Sequence, residues 1–198
     1  MEHLAKLVVG LVGPAGSGKT TLAKMMVCSA RERGGLAVAH IKVSGDILGN
    51  TLRQYGAEPT RENLQSFCLC MQQLRPGAVS FAVINAIKAA PEPVVIWDCI
   101  RTEEDYAALC QFPNYALVCI STANEKIRFD RMRHRSEKGE RPDSSDDEFR
   151  QAEQHAIERA ISALCAKATH TIKHDSDDRD EFRSQVIELM AQLNILAL

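Results

Sequence analysis

Neither sign of charge is in excess in this sequence: 24 Lys+Arg stand against 26 Asp+Glu over 198 residues, a formal net charge of -2. Duplex nucleic acid and anionic membranes are held chiefly by surplus Lys and Arg. The chain as a whole therefore carries no footprint for either partner, and any basic site has to be local. A long apolar run is also missing. Met1-Glu2-His3-Leu4-Ala5-Lys6 leads straight into Leu7–Val12, which is too short for a secretory h-region or a membrane span. The seven cysteines (Cys28, Cys68, Cys70, Cys99, Cys110, Cys119 and Cys165) contain no C-x-x-C pair and no zinc-type spacing. They are expected to be reduced, mostly buried thiols, in keeping with a cytoplasmic protein. There is no repeat and no low-complexity tract. What remains is an ordinary soluble composition, 45% hydrophobic and 25% charged. Its length suits a single domain over residues 1–198, able to bury a core without staples.

Five short apolar runs punctuate the chain: Leu7–Val12, Leu36–Val43, Val94–Trp97, Ala116–Ile120 and the weaker Thr169–Lys173. They are rich in Val, Ile and Leu rather than alternating, as strands buried on both faces of a parallel sheet are. Helical stripes lie between them. Leu22, Ala23, Met26, Val27 and Ala30 form one, closed by Gly34-Gly35 as a C-terminal cap. Leu64, Phe67, Cys68, Met71 and Leu74 form a second; Phe149, Ala152, Ala156, Ala160, Ile161 and Leu164 form a third, entered through the capping-box pattern Ser145-x-x-Glu148. A last helix is expected from about Asp178 to Leu193. The alternation predicts an α/β fold with right-handed crossovers. Residues Arg131–Asp147 break the pattern with blocks of opposite charge and almost nothing apolar, reading either as a solvated loop or as a flap over a ligand.

The strongest motif is Gly13-Pro14-Ala15-Gly16-Ser17-Gly18-Lys19-Thr20, followed by Thr21, which satisfies G-x-x-x-x-G-K-[ST] in full. It follows a strand pattern and opens a helical one, the context the motif requires. Glycines allow consecutive backbone N–H groups to turn inward around a phosphate, and the helix adds its positive end. Lys19 is placed to reach the β- and γ-phosphates and the Thr20 hydroxyl to ligate Mg²⁺. Asp98 ends the third apolar run, so it is expected at the carboxyl edge of the sheet, where open α/β sheets bind ligands. It reads as a second magnesium ligand or, alternatively, as a strand-ending Asp that caps the helix after Thr102.

These features resemble the nucleoside-monophosphate-kinase type of P-loop protein over nearly the whole length. Adenylate kinases carry Gly-Asp-Met-Leu-Arg after the second strand, matched here by Gly45-Asp46-Ile47-Leu48. Their Asp-Gly-[Phe/Ile]-Pro-Arg is matched by Asp98-Cys99-Ile100-Arg101, and their lid-opening Arg-x-x-x-Arg by Arg131 and Arg135. An archaeal-type branch of small P-loop proteins, similar to dephospho-CoA kinases, is more alike still. It shares Glu58-Pro59-Thr60-Arg61-Glu62-Asn63-Leu64, Pro76-Gly77-Ala78 and Arg128-Phe129-Asp130-Arg131. In two respects the chain departs from the kinases: Gly49 stands where they place an acceptor-phosphate arginine, with Arg53 the nearest substitute, and after the lid, where they bring further arginines onto the transferring phosphoryl group, residues Glu148–His155 offer only Arg150.

The resemblance implies a three-layer P-loop NTPase fold: a five-stranded parallel sheet with helices on both faces, an acceptor-binding region over about residues 44–90 and a lid over about 131–147. It implies ATP-dependent phosphoryl transfer, with Mg²⁺, to a small phosphate-bearing acceptor such as a nucleoside monophosphate. The alternatives are a P-loop ATPase or nucleotide-dependent switch, and a dephospho-CoA-kinase-like activity. No nucleic acid and no membrane are expected as partners, and the chain is expected to be a monomer or homodimer. Lys19, Arg131 and Arg135 are the expected catalytic cations. Asp46, Arg53 and Arg101 are expected on the acceptor side, and His174, with Asp175 and Ser176, beside the base. Bland readings stand next to these. Asp46 is equally an N-cap for a helix from Ile47, Arg101 a surface partner of Glu104 or Asp105, and Arg131 and Arg135 a basic helix end favoured by the dipole. Arg128, Arg133 and His134 are expected to meet solvent, Cys68 and Cys70 to face different ways, and His170 with His174 to form no zinc site.

Overall fold

The computed structural model describes residues 6–133 and 156–196. Five strands, β1 (Leu7–Val12), β2 (Val38–Lys42), β3 (Val94–Asp98), β4 (Tyr115–Ser121) and β5 (His170–Lys173), form one sheet in the order β2-β3-β1-β4-β5. Every pairing is parallel. The eight α-helices among the described residues are α1 (Lys19–Gly34), α2 (Asn50–Gln54), α3 (Arg61–Leu74), α4 (Ala78–Ala89), α5 (Glu103–Leu109), α6 (Glu125–Arg133), α7 (Ala156–Cys165) and α8 (Arg179–Gln192), with a π-helical stretch over Val43–Gly49.

Strands buried on both sides explain the unalternating apolar runs. Leu7, Val9 and Leu11 pack with Leu22, Met26, Phe182 and Val186 beneath α1 and α8, while Val8, Val12 and Trp97 pack with Val83, Ile87, Leu109 and Leu164 on the opposite face. Each fully buried Leu, Ile or Val contributes about 1.5–3 kcal/mol relative to exposure, so the three layers are held by the central strands. Between β2 and α4 a smaller cluster of Leu48, Leu52 and Leu64 supports the segment expected to bind the acceptor.

Local signals account for the ends of several elements. Gly35, with φ 61, closes α1 through its N–H to the Ala30 and Arg31 carbonyls. The Asp178 carboxylate caps α8, and Thr102 with Asp105 forms a capping box on α5. Asp98 therefore does not cap α5; Thr102 does. Other expectations are corrected. Leu74 is 76% exposed, so the apolar stripe of α3 stops a turn earlier, at Met71. The seven cysteines are not all reduced or mostly buried. Cys119 on β4 is disulfide-bonded to Cys165 at the end of α7, and Cys28, Cys70 and Cys110 are exposed. Strand β4 and the end of α7 are brought together by the fold across 46 residues of sequence, a proximity that spacing does not reveal. Arg135, His134, the capping-box pair Ser145 and Glu148, Phe149, Ala152 and most of the expected lid lie outside the described residues. No single helix among the described residues is long and apolar enough to cross a membrane.

Candidate active site

At the carboxyl end of β1 the chain turns through Gly13–Gly18 into α1. Gly16 and Gly18 have φ of 77 and 103, a region that side chains other than glycine rarely enter. Contact adds to the requirement: a Cβ at Gly18 would stand 2.4 Å from His174 Nδ1, and one at Gly16 2.5 Å from the Arg128 carbonyl oxygen. Helix α1 has no acidic residue in its first turn, which leaves its positive end to an external anion. The buried Lys19 ammonium donates to the carbonyls of Gly13 at 2.6 Å and Pro14 at 2.8 Å, so it lies over the loop it would serve. Ser17 Oγ is buried with no hydrogen-bond partner among the described residues.

Asp98, 5% exposed, is the last residue of β3. Its Oδ2 accepts the Thr20 hydroxyl at 2.8 Å and lies 3.0 Å from His40 Nε2. Burial pushes the carboxyl upward, yet the hydrogen bonds from His40 and Thr20 and the charges of His40 and Lys19 outweigh it and hold Asp98 below its ordinary value. Asp98 is thus an ionised acceptor, and Thr20 spends its proton on it while its oxygen lone pairs remain for a cation. Hydroxyl and carboxylate are hard oxygen donors of the kind Mg²⁺ takes. Among the described residues no group of three His, Cys, Asp or Glu is placed to hold a metal ion. A cation between Thr20 and Asp98 would therefore draw on phosphate and water oxygens, as Mg²⁺ at nucleotide sites does.

The flank toward β5 is densely connected. Arg131 on α6 binds the loop after β5 through Nε to Asp177 Oδ1 at 3.0 Å, Nη1 to the His174 carbonyl at 3.2 Å and Nη2 to the Ser176 carbonyl at 2.7 Å. His174 Nδ1 lies 2.9 Å from the Ser17 carbonyl, and the imidazole stacks on Phe182 with centroids 3.7 Å apart. Burial, first, and the Arg131 charge hold His174 below its ordinary value despite the Ser17 contact. One imidazole face is thereby committed to Phe182 and one ring nitrogen to the P-loop. Arg128 is corrected: rather than meeting solvent, it is 8% exposed, with Nη1 directed to the Ala15 carbonyl and its own carbonyl against Gly16. Arg133 is exposed, as expected, and lies over the Phe129 ring.

On the acceptor side Asp46 and Arg53 are held by near neighbours in sequence. Asp46 accepts the backbone N–H of Lys42 at 2.8 Å; it stabilises the exit from β2 and is not the N-cap of a helix from Ile47. Arg53 donates to Asn50 Oδ1 at 3.0 Å. Its Nη1 passes 3.7 Å from where a Gly49 Cβ would be, and that Cβ would stand 2.7 Å from the Ser44 carbonyl, so a side chain at position 49 has no room. Arg101 is exposed, donates Nε–H to Cys99 Sγ at 2.8 Å and gives its backbone N–H to Asp105 Oδ2 at 3.0 Å. Cys99 itself has φ 95, a left-handed conformation at the place where adenylate kinases carry glycine, and such strain costs of order 1–3 kcal/mol. Asp105 also accepts the Ser80 hydroxyl at 2.6 Å; burial keeps its carboxyl above the ordinary value against the pull of these hydrogen bonds.

Two residues at this sheet edge escape a reading of the sequence. His40 and Lys42 stand in register with Ile96 and Asp98, which sets both on the Asp98 face of the sheet. The available signal is polarity inside the run Leu36–Val43, in which His40 interrupts apolar residues two positions before the strand ends.

No family model matches the sequence, and no curated protein matches it. Solved structures do match its fold. Shikimate kinase from Bacteroides thetaiotaomicron is similar at TM-score 0.62 and 18% identity, covering 95% of this chain and 98% of that one. A Thermus thermophilus protein is similar at TM-score 0.59 and 14% identity, with 95% and 97% covered. Shikimate kinase from Acinetobacter baumannii, solved with shikimate, is similar at TM-score 0.52 and 17% identity, with 96% of each chain covered. The described residues thus share their fold, a five-stranded parallel sheet between helices, with these structures.

Proposed function

We propose that this chain is an ATP-dependent phosphotransferase whose acceptor is a small phosphate-bearing molecule, a nucleoside monophosphate or related nucleotide. One observation carries the reading: a complete P-loop, Lys19 lying over it, and the Thr20–Asp98 pair meet at the carboxyl edge of the sheet. The Gly13–Thr21 backbone would bind the triphosphate, Lys19 would neutralise its β- and γ-oxygens, and Arg131, fastened to the His174–Asp177 loop, would add charge from the flank, with Arg135 as a further cation. Mg²⁺ held by Thr20 and Asp98 would neutralise phosphate charge. Asp46, Arg53 and Arg101 would orient the acceptor, and the Arg101 fork suits a phosphate bidentately. The acceptor oxygen then bonds to the γ-phosphorus, the bridge to the β-phosphate breaks, and ADP leaves with that electron pair.

One feature favours a second reading, a nucleotide-dependent switch or ATPase. Position 49 has no space for a side chain where adenylate kinases place an acceptor-phosphate arginine, so that charge-assisted contact to an acceptor is missing from this turn. The experiment is a panel of purified protein, Mg-ATP and acceptors: nucleoside monophosphates, dephospho-CoA and, because two fold neighbours are shikimate kinases, shikimate. Phosphorylated product with one acceptor class supports transfer and identifies the class. ADP release that no acceptor raises above its basal rate overturns transfer in favour of the switch.

A further inference from the structure

His40 has no counterpart in the motifs discussed above, yet it occupies a decisive place. It lies on β2, next to β3, and reaches across to the Asp98 carboxylate with its own side chain 11% exposed and that of Asp98 6% exposed. His40 Nε2 lies 3.0 Å from Asp98 Oδ2, and a hydrogen bond to a carboxylate oxygen at that distance is one that the imidazole N–H donates. Both hydrogen bonds given to Asp98, from Thr20 and His40, end on the same oxygen, Oδ2. A carboxylate at the end of a strand is otherwise free to turn about χ2. Two donors arriving from different elements, α1 and β2, fix that rotation and leave Oδ1 without a hydrogen-bond partner among the described residues. Thr20 alone does not do this: its hydroxyl rotates and is itself a prospective cation ligand, whereas the imidazole is rigid and held in the sheet.

We propose that His40 is a positioning residue for the magnesium pole, anchoring Asp98 through Oδ2 so that the second carboxylate oxygen serves the cation. The inference rests on the nucleotide-binding reading above and goes beyond it by assigning a role to a residue outside the P-loop, the Asp98 strand end and the lid. Residues that hold a metal ligand from behind typically cost 10–100-fold in metal affinity when removed, which gives the expected size of the effect.

The test measures ATP binding by calorimetry across a magnesium titration and, separately, in EDTA, for the full chain and three variants. His40→Leu removes the donor, His40→Asn keeps a donor too short to reach Asp98, and His40→Gln keeps an N–H at similar reach. Thermal unfolding identifies folded variants; if His40→Leu does not fold, the Asn and Gln pair carries the comparison. In Leu and Asn the magnesium midpoint is expected to rise about tenfold or more with the EDTA affinity for ATP unchanged, and Gln to stay within about threefold of wild type. A magnesium midpoint unchanged in Leu and Asn overturns the proposal. A parallel loss of ATP affinity in EDTA also overturns it, since that marks a merely structural role. Absence of magnesium-dependent ATP binding in the wild type would instead overturn the nucleotide-binding reading, and His40's role with it.

Discussion

The two sides of the candidate site are built differently. On the nucleotide side the groups are tied together across long sequence distances: Ser17 to His174, Arg128 to Ala15, Thr20 to Asp98, and Arg131 to the loop after β5. On the acceptor side Asp46 is held from four residues away and Arg53 from three, and the Arg101 side chain counts Cys99, two residues away, among its partners. Long-range ties make geometry a property of the whole sheet, whereas local ties leave it to one turn. On the proposed reading, the nucleotide half is the pre-organised half, and the acceptor half is where adaptation to a particular substrate would be concentrated.

Paired glycine substitutions probe this contrast most severely. Gly18→Ala forces a Cβ against His174 at a φ of 103, whereas a Cβ at Gly45 meets nothing closer than the Lys42 Cβ at 3.6 Å. Gly18→Ala is expected to lower stability by roughly 2–4 kcal/mol in urea titration and to abolish tight ATP binding, with Gly45→Ala near neutral. Equal effects would erase the distinction. Cys99→Gly comes next. Relief of the φ 95 conformation offsets the entropy of glycine, so stability should hold or rise by up to about 1 kcal/mol, while acceptor KM rises as Arg101 loses its sulfur anchor. A clear loss of stability would mean that no strain resides there.

The smallest effect concerns pH. Because burial and Arg131 hold His174 below its ordinary value, the unfolded chain binds a proton there that the native state resists. The associated stability is complete above the unfolded histidine value, about 6.5, and is lost as pH falls through the folded one. Thermal midpoints should decline on acidification below about pH 6.5, and His174→Gln should flatten that decline. A variant with the wild-type slope would assign the decline to other groups.

The same contrast explains what was legible in the sequence. The P-loop is a contiguous string whose spacing dictates its geometry, and Asp98 could be placed because a buried strand has a definite end. His40 and Arg128 were not, since their roles depend on which strand neighbours β3 and which helix covers the loop, facts of tertiary assembly. Helix α4 was missed because Val79, Phe81, Val83, Ile84 and Ile87 give an apolar stretch rich in β-branched residues, which periodicity does not separate from a strand. The Cys119–Cys165 pairing was invisible for the same reason as His40.

The central claim, a fixed nucleotide half and a separable acceptor half, is tested most directly by measuring ATP affinity and acceptor-dependent turnover in Lys19→Ala and Arg101→Ala side by side. Lys19→Ala is expected to lose productive ATP binding, and Arg101→Ala to keep ATP affinity within about twofold while kcat/KM for the acceptor falls by about a hundredfold, the loss of a charge-assisted phosphate contact. Equal loss of ATP affinity in both variants would contradict the account.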